Sequence, residues 1–275
     1  AATAQVQRLY RANPVAWRLI QSEARYVVAF GPRRESKSVS VLMAMAYDAT
    51  MRVDRRYWPI HVAVVRDTRV NLGISTAPTI KEWFPEGLAS RWWGKEQVPE
   101  VCRIKANDGS WLLECHFFGC DDEKAMSKFL GFASGYQWYE EPAPAATVSG
   151  GIEPAVFAVG NTSQAQIPKP RTFVAMNPPD KGHWSVALWP ELLEGSADMP
   201  AVLEEAHLQQ AREAIHAQSD VFFFPKGINT PFHQEHPGFH EGVRDLLLAM
   251  GRPDLVGRLV EGKVGSVQLG NPVAT

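Results

Sequence analysis

The segment around Gly31 constrains the fold of this chain more than any other. Tyr26-Val-Val-Ala-Phe30 is a short apolar run that ends at this glycine, and it predicts a buried β-strand. Residues 38–51 predict a helix with small and apolar residues on one side. Between them, Gly31-Pro-Arg-Arg-Glu-Ser-Lys-Ser38 matches the phosphate-loop pattern G-x-x-x-x-G-K-S/T except at the second glycine, which is Ser36. The order of strand, loop and helix is the one in which such a loop binds phosphate.

A loop of this kind binds phosphate through its backbone N–H groups and through the N-terminus of the following helix. Lys37 is expected to reach the β- and γ-phosphates, and Ser38 to bind Mg²⁺. A serine at the glycine position is acceptable where its backbone angle is permissive. The predicted nucleotide-binding residues of the loop are Gly31, Pro32, Arg33, Arg34, Glu35, Ser36, Lys37 and Ser38.

Glu35 is the unusual residue of this loop, because a carboxylate inside an anion-binding loop repels the ligand. Arg33 and Arg34 would offset that charge, and one of them could stabilise negative charge on the γ-phosphate as an arginine finger does. The alternative is a loop that merely has Lys-Ser at the start of a helix. A second alternative is a phosphate loop in which Glu35 and Ser36 have disabled phosphate binding.

A second apolar strand ends in two carboxylates. Tyr136-Gln-Trp-Tyr139 leads directly into Glu140 and Glu141. Four largely apolar residues and an acidic pair are the layout of the second NTPase motif, in which the first carboxylate holds Mg²⁺ and the second polarises the attacking water. We therefore predict that Glu140 is a metal ligand and that Glu141 is catalytic. The alternative is a solvated strand end beside Pro142.

Strands alternate with helices along the chain, which predicts an α/β fold with a mainly parallel sheet covered on both faces. Polar residues stand at three predicted strand ends, namely Gly31, Glu140 and Asn177. In such sheets ligands bind outside the carboxyl ends of the strands. The six predicted strands are residues 26–30, 60–65, 111–118, 135–139, 171–176 and 221–224.

Composition excludes several classes of protein. The chain has 28 basic and 30 acidic residues, so as a whole it is not a basic nucleic-acid binder, although a local basic face stays open. Three cysteines argue against a disulfide scaffold and favour a reducing compartment. No apolar run approaches the roughly 20 residues of a membrane span, so no membrane partner is predicted.

The order of these segments resembles the ATPase domain of the large terminase subunit, the DNA-packaging motor of tailed bacteriophages and related gene-transfer particles. Their joint order, across about residues 20–275, carries the resemblance. The segments are residues 31–40, residues 64–72 with 79–85, residues 108–119 with 128–131 leading to Gly135 and the acidic pair, residues 176–184, and residues 260–265 with 270–273.

The resemblance implies a P-loop NTPase of the additional-strand, RecA-like class, with ATP and Mg²⁺ as cofactors. It implies an ATPase core over residues 1–224 and a small lid and linker over residues 225–275, leading to a nuclease domain that is expected to be absent from this chain. Asn177 would lie in the coupling motif that senses the γ-phosphate, and Gln21 would read the adenine edge. The lid would close over the nucleotide.

The function that the resemblance implies is Mg²⁺-dependent ATP hydrolysis that drives double-stranded viral DNA into a procapsid, in the cytoplasm of the host bacterium. The implied partners are double-stranded DNA, the portal and procapsid, the small terminase subunit and further copies of this chain in a ring. Two alternatives stay open. One is another P-loop ATPase such as a helicase-like nucleic-acid motor, and the other is a degenerate nucleotide-binding assembly scaffold.

One segment departs from the family pattern. Many relatives carry an arginine-containing loop after the acidic pair, whereas residues 157–163 of this chain contain no arginine. Arg66 and Arg69, which follow the second strand, are therefore the better candidates for the arginine that one subunit lends to its neighbour. We assign the catalytic role to Arg66, and the alternative is that both are surface arginines.

Two groups of side chains have the chemistry of metal ligands. Cys115, His116 and Cys120 lack the second distant pair of a zinc site, and neighbours in a strand point to opposite faces, so we favour a buried structural cysteine. The second group lies near Pro231 and Pro237 and comprises His233, His236 and His240. The spacing of these histidines permits a metal-ligand set, although we favour a solvated loop.

Overall fold

The computed structural model describes residues 10–120, 128–129, 131–142, 165–179, 183–193 and 213–263. Its strands are β1 (Tyr26–Phe30), β2 (Ile60–Arg66), β3 (Ser90–Lys95), β4 (Val98–Lys105), β5 (Trp111–Gly119), β6 (Tyr136–Glu140), β7 (Arg171–Met176) and β8 (Ser219–Phe223). Its helices are α1 (Pro14–Gln21), α2 (Lys37–Met51), α3 (Arg69–Asn71), α4 (Ala77–Trp83), α5 (Trp184–Leu188), α6 (Thr230–Glu235), α7 (Phe239–Ala249) and α8 (Pro253–Val256). Single π turns follow α3 at Leu72–Thr76 and α8 at Gly257–Glu261, and 3-10 turns cover Arg55–Tyr57 and Pro190–Leu193.

These strands form one sheet in the order β3-β4-β5-β2-β6-β7-β1-β8. The strands from β5 to β8 in that order run parallel, and β3 and β4 add an antiparallel hairpin at one edge. Strand β7 lies between β1, which precedes the phosphate loop, and β6, which carries the acidic pair. The predicted α/β class with a mainly parallel sheet and an additional strand is therefore confirmed.

Apolar side chains fill both faces of the sheet. In β1, Val27 and Ala29 belong to the core on the face covered by α1 and α2, whereas Val28 and Phe30 belong to the core on the opposite face. Trp189 is fully buried in this second core. Because both faces are covered, the central strands are apolar at nearly every position, which is why they are readable as continuous runs.

A buried polar network fixes the end of α2 to the first residues of β6 and β7, at the opposite end of these strands from the acidic pair. Asp48, near the end of α2, accepts hydrogen bonds from Arg171 at 2.6 Å, from the hydroxyl of Tyr136 at 2.7 Å and from Arg52 at 3.2 Å. Arg171 also donates to the carbonyl of Ser22 at 2.8 Å. The Asp48 and Arg171 side chains are only 5% and 6% exposed, so each charge depends on the other for compensation.

The structure differs from the sequence-based prediction at the β3–β4 hairpin and in the bounds of β8. Strands β3 and β4 were not predicted, and they pair with each other and then with β5 at an edge of the sheet. The predicted strand at 221–224 runs from 219 to 223. The sequence also predicts helices over residues 122–129 and 201–217. Most of these residues lie outside the described part of the chain, and those that are described are helical at 128–129 and 213–216.

The C-terminal segment, residues 225–263, follows β8. It contains α6, α7 and α8, and Leu247, Val256 and Val260 form a small apolar core within it. Helix α7 ends before Gly251 and α8 starts at Pro253, where the sequence predicts a split between two helices. Among the described residues, no helix has the length and apolar character to cross a membrane.

Candidate functional site

The loop between β1 and α2 has positive φ at three of its residues. Ser36 has φ 66° and ψ 17°, the left-handed conformation for which glycine is normally chosen at this position. Arg34 is also left-handed, with φ 67°. Gly31 has φ 148°, and a Cβ atom there would lie 2.2 Å from the carbonyl oxygen of Phe224. The loop therefore requires glycine at its first position and tolerates serine at its sixth.

Lys37 opens α2, and its amine is buried at the carboxyl edge of the sheet. The Nζ atom donates to the carbonyl oxygen of Pro32 at 2.5 Å and to Oδ1 of Asn177 at 3.2 Å. Burial lowers the pKa of Lys37 to about 8, although the carboxylates of Glu141 and Glu140 oppose this shift. Such an amine is charged at neutral pH and placed among acceptors that an incoming phosphate can replace.

Ser38 and Glu140 form the second pair of the site. The Ser38 hydroxyl donates to Oε1 of Glu140 at 2.5 Å, and the Trp138 indole N–H donates to Oε2 at 3.0 Å. Burial raises the pKa of Glu140 to about 7, and the neighbouring charge of Glu141 adds to the effect. A hydroxyl and a carboxylate supply the hard oxygen ligands that Mg²⁺ prefers.

Glu141 and Asn177 join the ends of β6 and β7. Glu141 is left-handed, with φ 47°, and both of its carboxylate oxygens accept from the backbone N–H of Asn177, at 3.0 and 3.1 Å. The Asn177 side chain in turn accepts from Lys37. The structure therefore brings together Lys37, Ser38, Glu140, Glu141 and Asn177 at adjacent strand ends.

The arginines predicted for the site occupy different positions. Arg33 and Arg34 are exposed on the outside of the loop, and the Arg34 guanidinium lies 5.7 Å from the ring of Phe232. Arg66 ends β2 and donates to the hydroxyl of Ser75 at 2.6 Å and to Asp67 at 3.2 Å. The charge of Arg66 also opposes the rise in the Glu140 pKa.

Gln21 lies away from these residues. Its backbone carbonyl accepts from Arg52 at 2.8 Å, and Arg52 immediately follows the last residue of α2. Lys37 is at the other end of that helix, and a helix of this length spans about 20 Å. The structure does not bring Gln21 together with the phosphate loop.

Glu35 is fully buried, and its carboxylate contacts the C-terminal segment. It accepts from the backbone N–H groups of Gly227 and Asn229 and from Nε2 of His233 and His240. His240 is 2% exposed, so the favoured interpretation of a solvated loop is wrong for this histidine. Sequence reasoning missed these contacts because they join residues about 200 positions apart and have no local signal.

Arg258 also contacts the site, and the sequence gives no signal for it. It lies in the π turn after α8, and its Nε donates at 2.8 Å to the carbonyl of Pro178, the residue after Asn177. In the same turn, the carbonyl of Leu259 accepts from the backbone N–H of Arg33 at 3.2 Å. The C-terminal segment therefore contacts both the phosphate loop and the loop after β7.

The cysteine cluster has the structural role that the sequence predicts. Cys102, Cys115 and Cys120 are all buried free thiols. His116 bonds Glu114 at 2.8 Å on the strand face opposite Cys115. Within the described residues, the group whose ligand atoms converge closely enough for a metal ion is instead Glu35, His233 and His240.

Comparison with known proteins finds similarity of structure but no match by sequence. No protein-family model matches the sequence, and no curated protein matches it. The large terminase from a thermophilic bacteriophage superposes with a TM-score of 0.61 at 13% identity, covering 92% of this chain and 53% of that one. The large terminase ATPase domain of Thermus phage P74-26 superposes with a TM-score of 0.53 at 12% identity, covering 92% and 94%. An arginine-to-alanine mutant of that domain superposes with a TM-score of 0.51 at 11% identity, covering 93% of this chain and 95% of that one.

These likenesses confirm, for the fold, the resemblance to the ATPase domains of large terminases. They extend over 92 to 93% of the chain, so the likeness covers nearly the whole fold. The chain spans about half the length of the first of these terminases and nearly all of the P74-26 domain.

Proposed function

We propose that this chain is the ATPase motor domain of a DNA-packaging machine, in which Mg²⁺-dependent ATP hydrolysis drives double-stranded DNA into a procapsid. The observation that carries the proposal is the convergence of Lys37, Asn177 and Glu141 beside the Ser38–Glu140 pair. In a parallel sheet with this topology, the carboxyl edge of the strands is the ordinary place for a ligand.

The residues present suit a nucleotide with Mg²⁺. The left-handed backbone at Ser36 is the conformation that the second glycine of a phosphate loop supplies, which supports a working loop over a disabled one. Ser38 and Glu140 would hold Mg²⁺, directly or through water, and the ion would neutralise phosphate charge. The Lys37 amine would exchange its present acceptors for the β- and γ-phosphates.

Glu141 is proposed to orient the attacking water and accept its proton. In the structure its carboxylate is held by the backbone N–H of Asn177, so turning it toward water breaks these hydrogen bonds. Asn177 also holds Lys37. One residue therefore contacts both the phosphate-binding amine and the proposed base, which suits a sensor of the γ-phosphate.

The partners in this proposal are double-stranded DNA, the portal and procapsid, the small terminase subunit and other copies of the chain in a ring, all in the cytoplasm of the host bacterium. Residues 225–275 are proposed as the lid, and contacts from Leu259 and Arg258 to the site support that role. Arg66, and less directly Arg69, are candidates for the arginine that acts on a neighbouring subunit.

The first test is the melting temperature with and without Mg²⁺ and a non-hydrolysable ATP analogue. A ligand at 100 times its Kd stabilises the folded state by about 2.7 kcal/mol, which is roughly 5 °C for a chain of this size. We expect the shift in the wild type and in Lys95→Ala, an exposed lysine of β3, but not in Lys37→Ala. A shift that persists in Lys37→Ala contradicts the assignment of the loop.

The second test identifies the substrate of the motor. ATP turnover should rise with double-stranded DNA in the presence of portal-bearing procapsids, and the DNA should become resistant to nuclease as it enters them. Stimulation by single strands without procapsids would instead favour a helicase-like motor. Absence of any nucleotide-dependent stabilisation would favour the assembly scaffold.

A further inference from the structure

The side chain of Glu35 connects the phosphate loop to the C-terminal segment. Its Oε1 atom accepts from the backbone N–H of Gly227 at 2.9 Å, from Nε2 of His233 at 2.9 Å and from Nε2 of His240 at 2.8 Å. Its Oε2 atom accepts from the backbone N–H of Asn229 at 3.0 Å. The carboxylate is fully buried, so these four donors replace the water that it would otherwise bind.

The backbone on either side of Glu35 is in an unfavourable conformation. Arg34 and Ser36 both have positive φ, which side-chain-bearing residues adopt only when the surroundings hold them there. The C-terminal segment supplies a further contact here, because the Asn229 side chain donates to the carbonyl of Arg34 at 2.6 Å. Residues 227–240 thus hold the loop at two successive residues.

The protons in this cluster can be placed from the hydrogen-bonding partners. A carboxylate only accepts, so both histidines donate from Nε2–H. The Nδ1 atom of His240 is buried and has no partner in the described part of the chain. The neutral Nε2–H form therefore suits His240, because it places no hydrogen on Nδ1.

The same three side chains also have the chemistry of a zinc site, since their ligand atoms lie within 4.8 Å of one another. Zinc would take the bare Nε2 of each histidine and leave the remaining proton on Nδ1, where a bound histidine almost always donates to a partner. His240 offers no such partner among the described residues. The hydrogen-bonded cluster therefore fits the surroundings better than a metal.

We propose that Glu35 is a positioning residue through which residues 227–240 hold the phosphate loop in its binding conformation. This contact compensates for the serine that replaces the second glycine of the loop. The inference rests on the proposed function, because it concerns the same nucleotide site. Because residues 227–240 belong to the proposed lid, the lid itself stabilises the phosphate loop. Displacement of residues 227–240 therefore weakens phosphate binding.

The test compares Glu35→Gln with Glu241→Gln, which makes the same change at an exposed glutamate of α7 that pairs with Lys226. Amide hydrogen exchange should speed up in Glu35→Gln over residues 31–37 and 227–240, and stay as in the wild type for β6 and β7. Glu241→Gln should exchange as the wild type does. Unchanged exchange over residues 31–37 in Glu35→Gln overturns the proposal, whether or not the chain binds nucleotide.

The second measurement is the Kd for a fluorescent ATP analogue with Mg²⁺. Glu35→Gln should weaken binding about tenfold, as expected for the loss of one charge-assisted hydrogen bond. Adding Ser36→Gly to Glu35→Gln should recover most of that loss, because glycine adopts positive φ without support. A double variant that binds no better than Glu35→Gln overturns the compensation. A wild type that binds no analogue refutes the proposed function, while the exchange experiment still decides the role of Glu35.

Two controls complete the design. If Glu35→Gln does not fold, His233→Gln removes one donor at a partly exposed position and should change exchange over residues 31–37 in the same direction. The metal interpretation is tested with Zn²⁺ and EDTA. The wild type should keep its exchange protection after EDTA treatment, whereas stoichiometric zinc whose removal abolishes that protection overturns the hydrogen-bonded account.

Discussion

The amine of Lys37 donates a hydrogen bond to Oδ1 of Asn177 at 3.2 Å, although the two residues are 140 positions apart in the chain. Lys37 opens the helix after β1, and Asn177 follows β7, the strand paired with β1. The backbone N–H of Asn177 also holds Glu141. Movement of the loop after β7 therefore changes the environment of both charged groups at once.

Asn177→Ala should impair turnover more than binding. The substitution removes the side-chain acceptor of Lys37 but leaves the carbonyl of Pro32. Hydrogen bonds to a charged group contribute about 1.5 to 3 kcal/mol, so we expect a fall in kcat of roughly 10- to 100-fold. Single-turnover ATP hydrolysis measures this, with Asn107→Ala in an exposed turn as the control. Equal rates in the wild type and Asn177→Ala would remove Asn177 from the proposed cycle.

Binding of Mg²⁺ with nucleotide should release a proton near neutral pH. Burial raises the pKa of Glu140 to about 7, so below that pH the carboxyl is largely protonated, and Mg²⁺ must displace the proton. ATP turnover at fixed Mg²⁺ should therefore rise as the pH increases through about 7. Calorimetry in buffers of different ionisation enthalpy measures the released proton. Glu140→Gln should release none from this position, and the same release in both proteins would exclude Glu140.

Acid should weaken the contact between the phosphate loop and the C-terminal segment. Burial alone would raise the pKa of Glu35, but the N–H groups of Gly227 and Asn229 and the two histidine rings hold it below 4.5. The unfolded chain then binds more protons than the folded one, so this contribution to stability is present above pH 4.5 and lost as the pH falls through the folded-state pKa. The free energy of unfolding, measured in urea, should decline more steeply below pH 4.5 in the wild type than in Glu35→Gln.

Asp48→Ala should strongly destabilise the chain without altering the site. It leaves the Arg171 guanidinium buried without its carboxylate, and such a change costs about 3 to 5 kcal/mol. The matched control is Asp245→Ala, which breaks an exposed pair with Arg244 and should cost no more than about 1 kcal/mol. Urea denaturation of the three proteins measures both values. Similar losses in the two variants would contradict the network described for Asp48.

The sequence predicts the elements whose determinants are local. Strand β1, the loop and α2 are contiguous, and the apolar run, the glycine and the Lys-Ser pair mark them without reference to the rest of the chain. The hairpin of β3 and β4 escapes detection because it lies at the sheet edge, where many residues are exposed and charged. Pro99 within β4 further weakens its strand signal.

The residues of the candidate site also divide into those with a local sequence signal and those without one. Ser38 and Glu140 were readable as a pair because each ends a motif with its own pattern. The sequence assigns Glu35 to the anion-binding loop and gives no sign of its partners, because these are backbone amides and two rings in a segment with no recognisable motif. Residue types show what a side chain can do, whereas the direction in which it points depends on tertiary packing.

The distance along the chain between Glu35 and His240 has a consequence for synthesis. The two residues are 205 positions apart, so the loop leaves the ribosome long before its support does. At about 5 to 20 residues per second, the interval is on the order of 10 to 40 s. A nascent chain that already contains β1, the loop and α2 therefore has an incomplete nucleotide site. The order of translation alone delays its completion until the C-terminal segment has emerged.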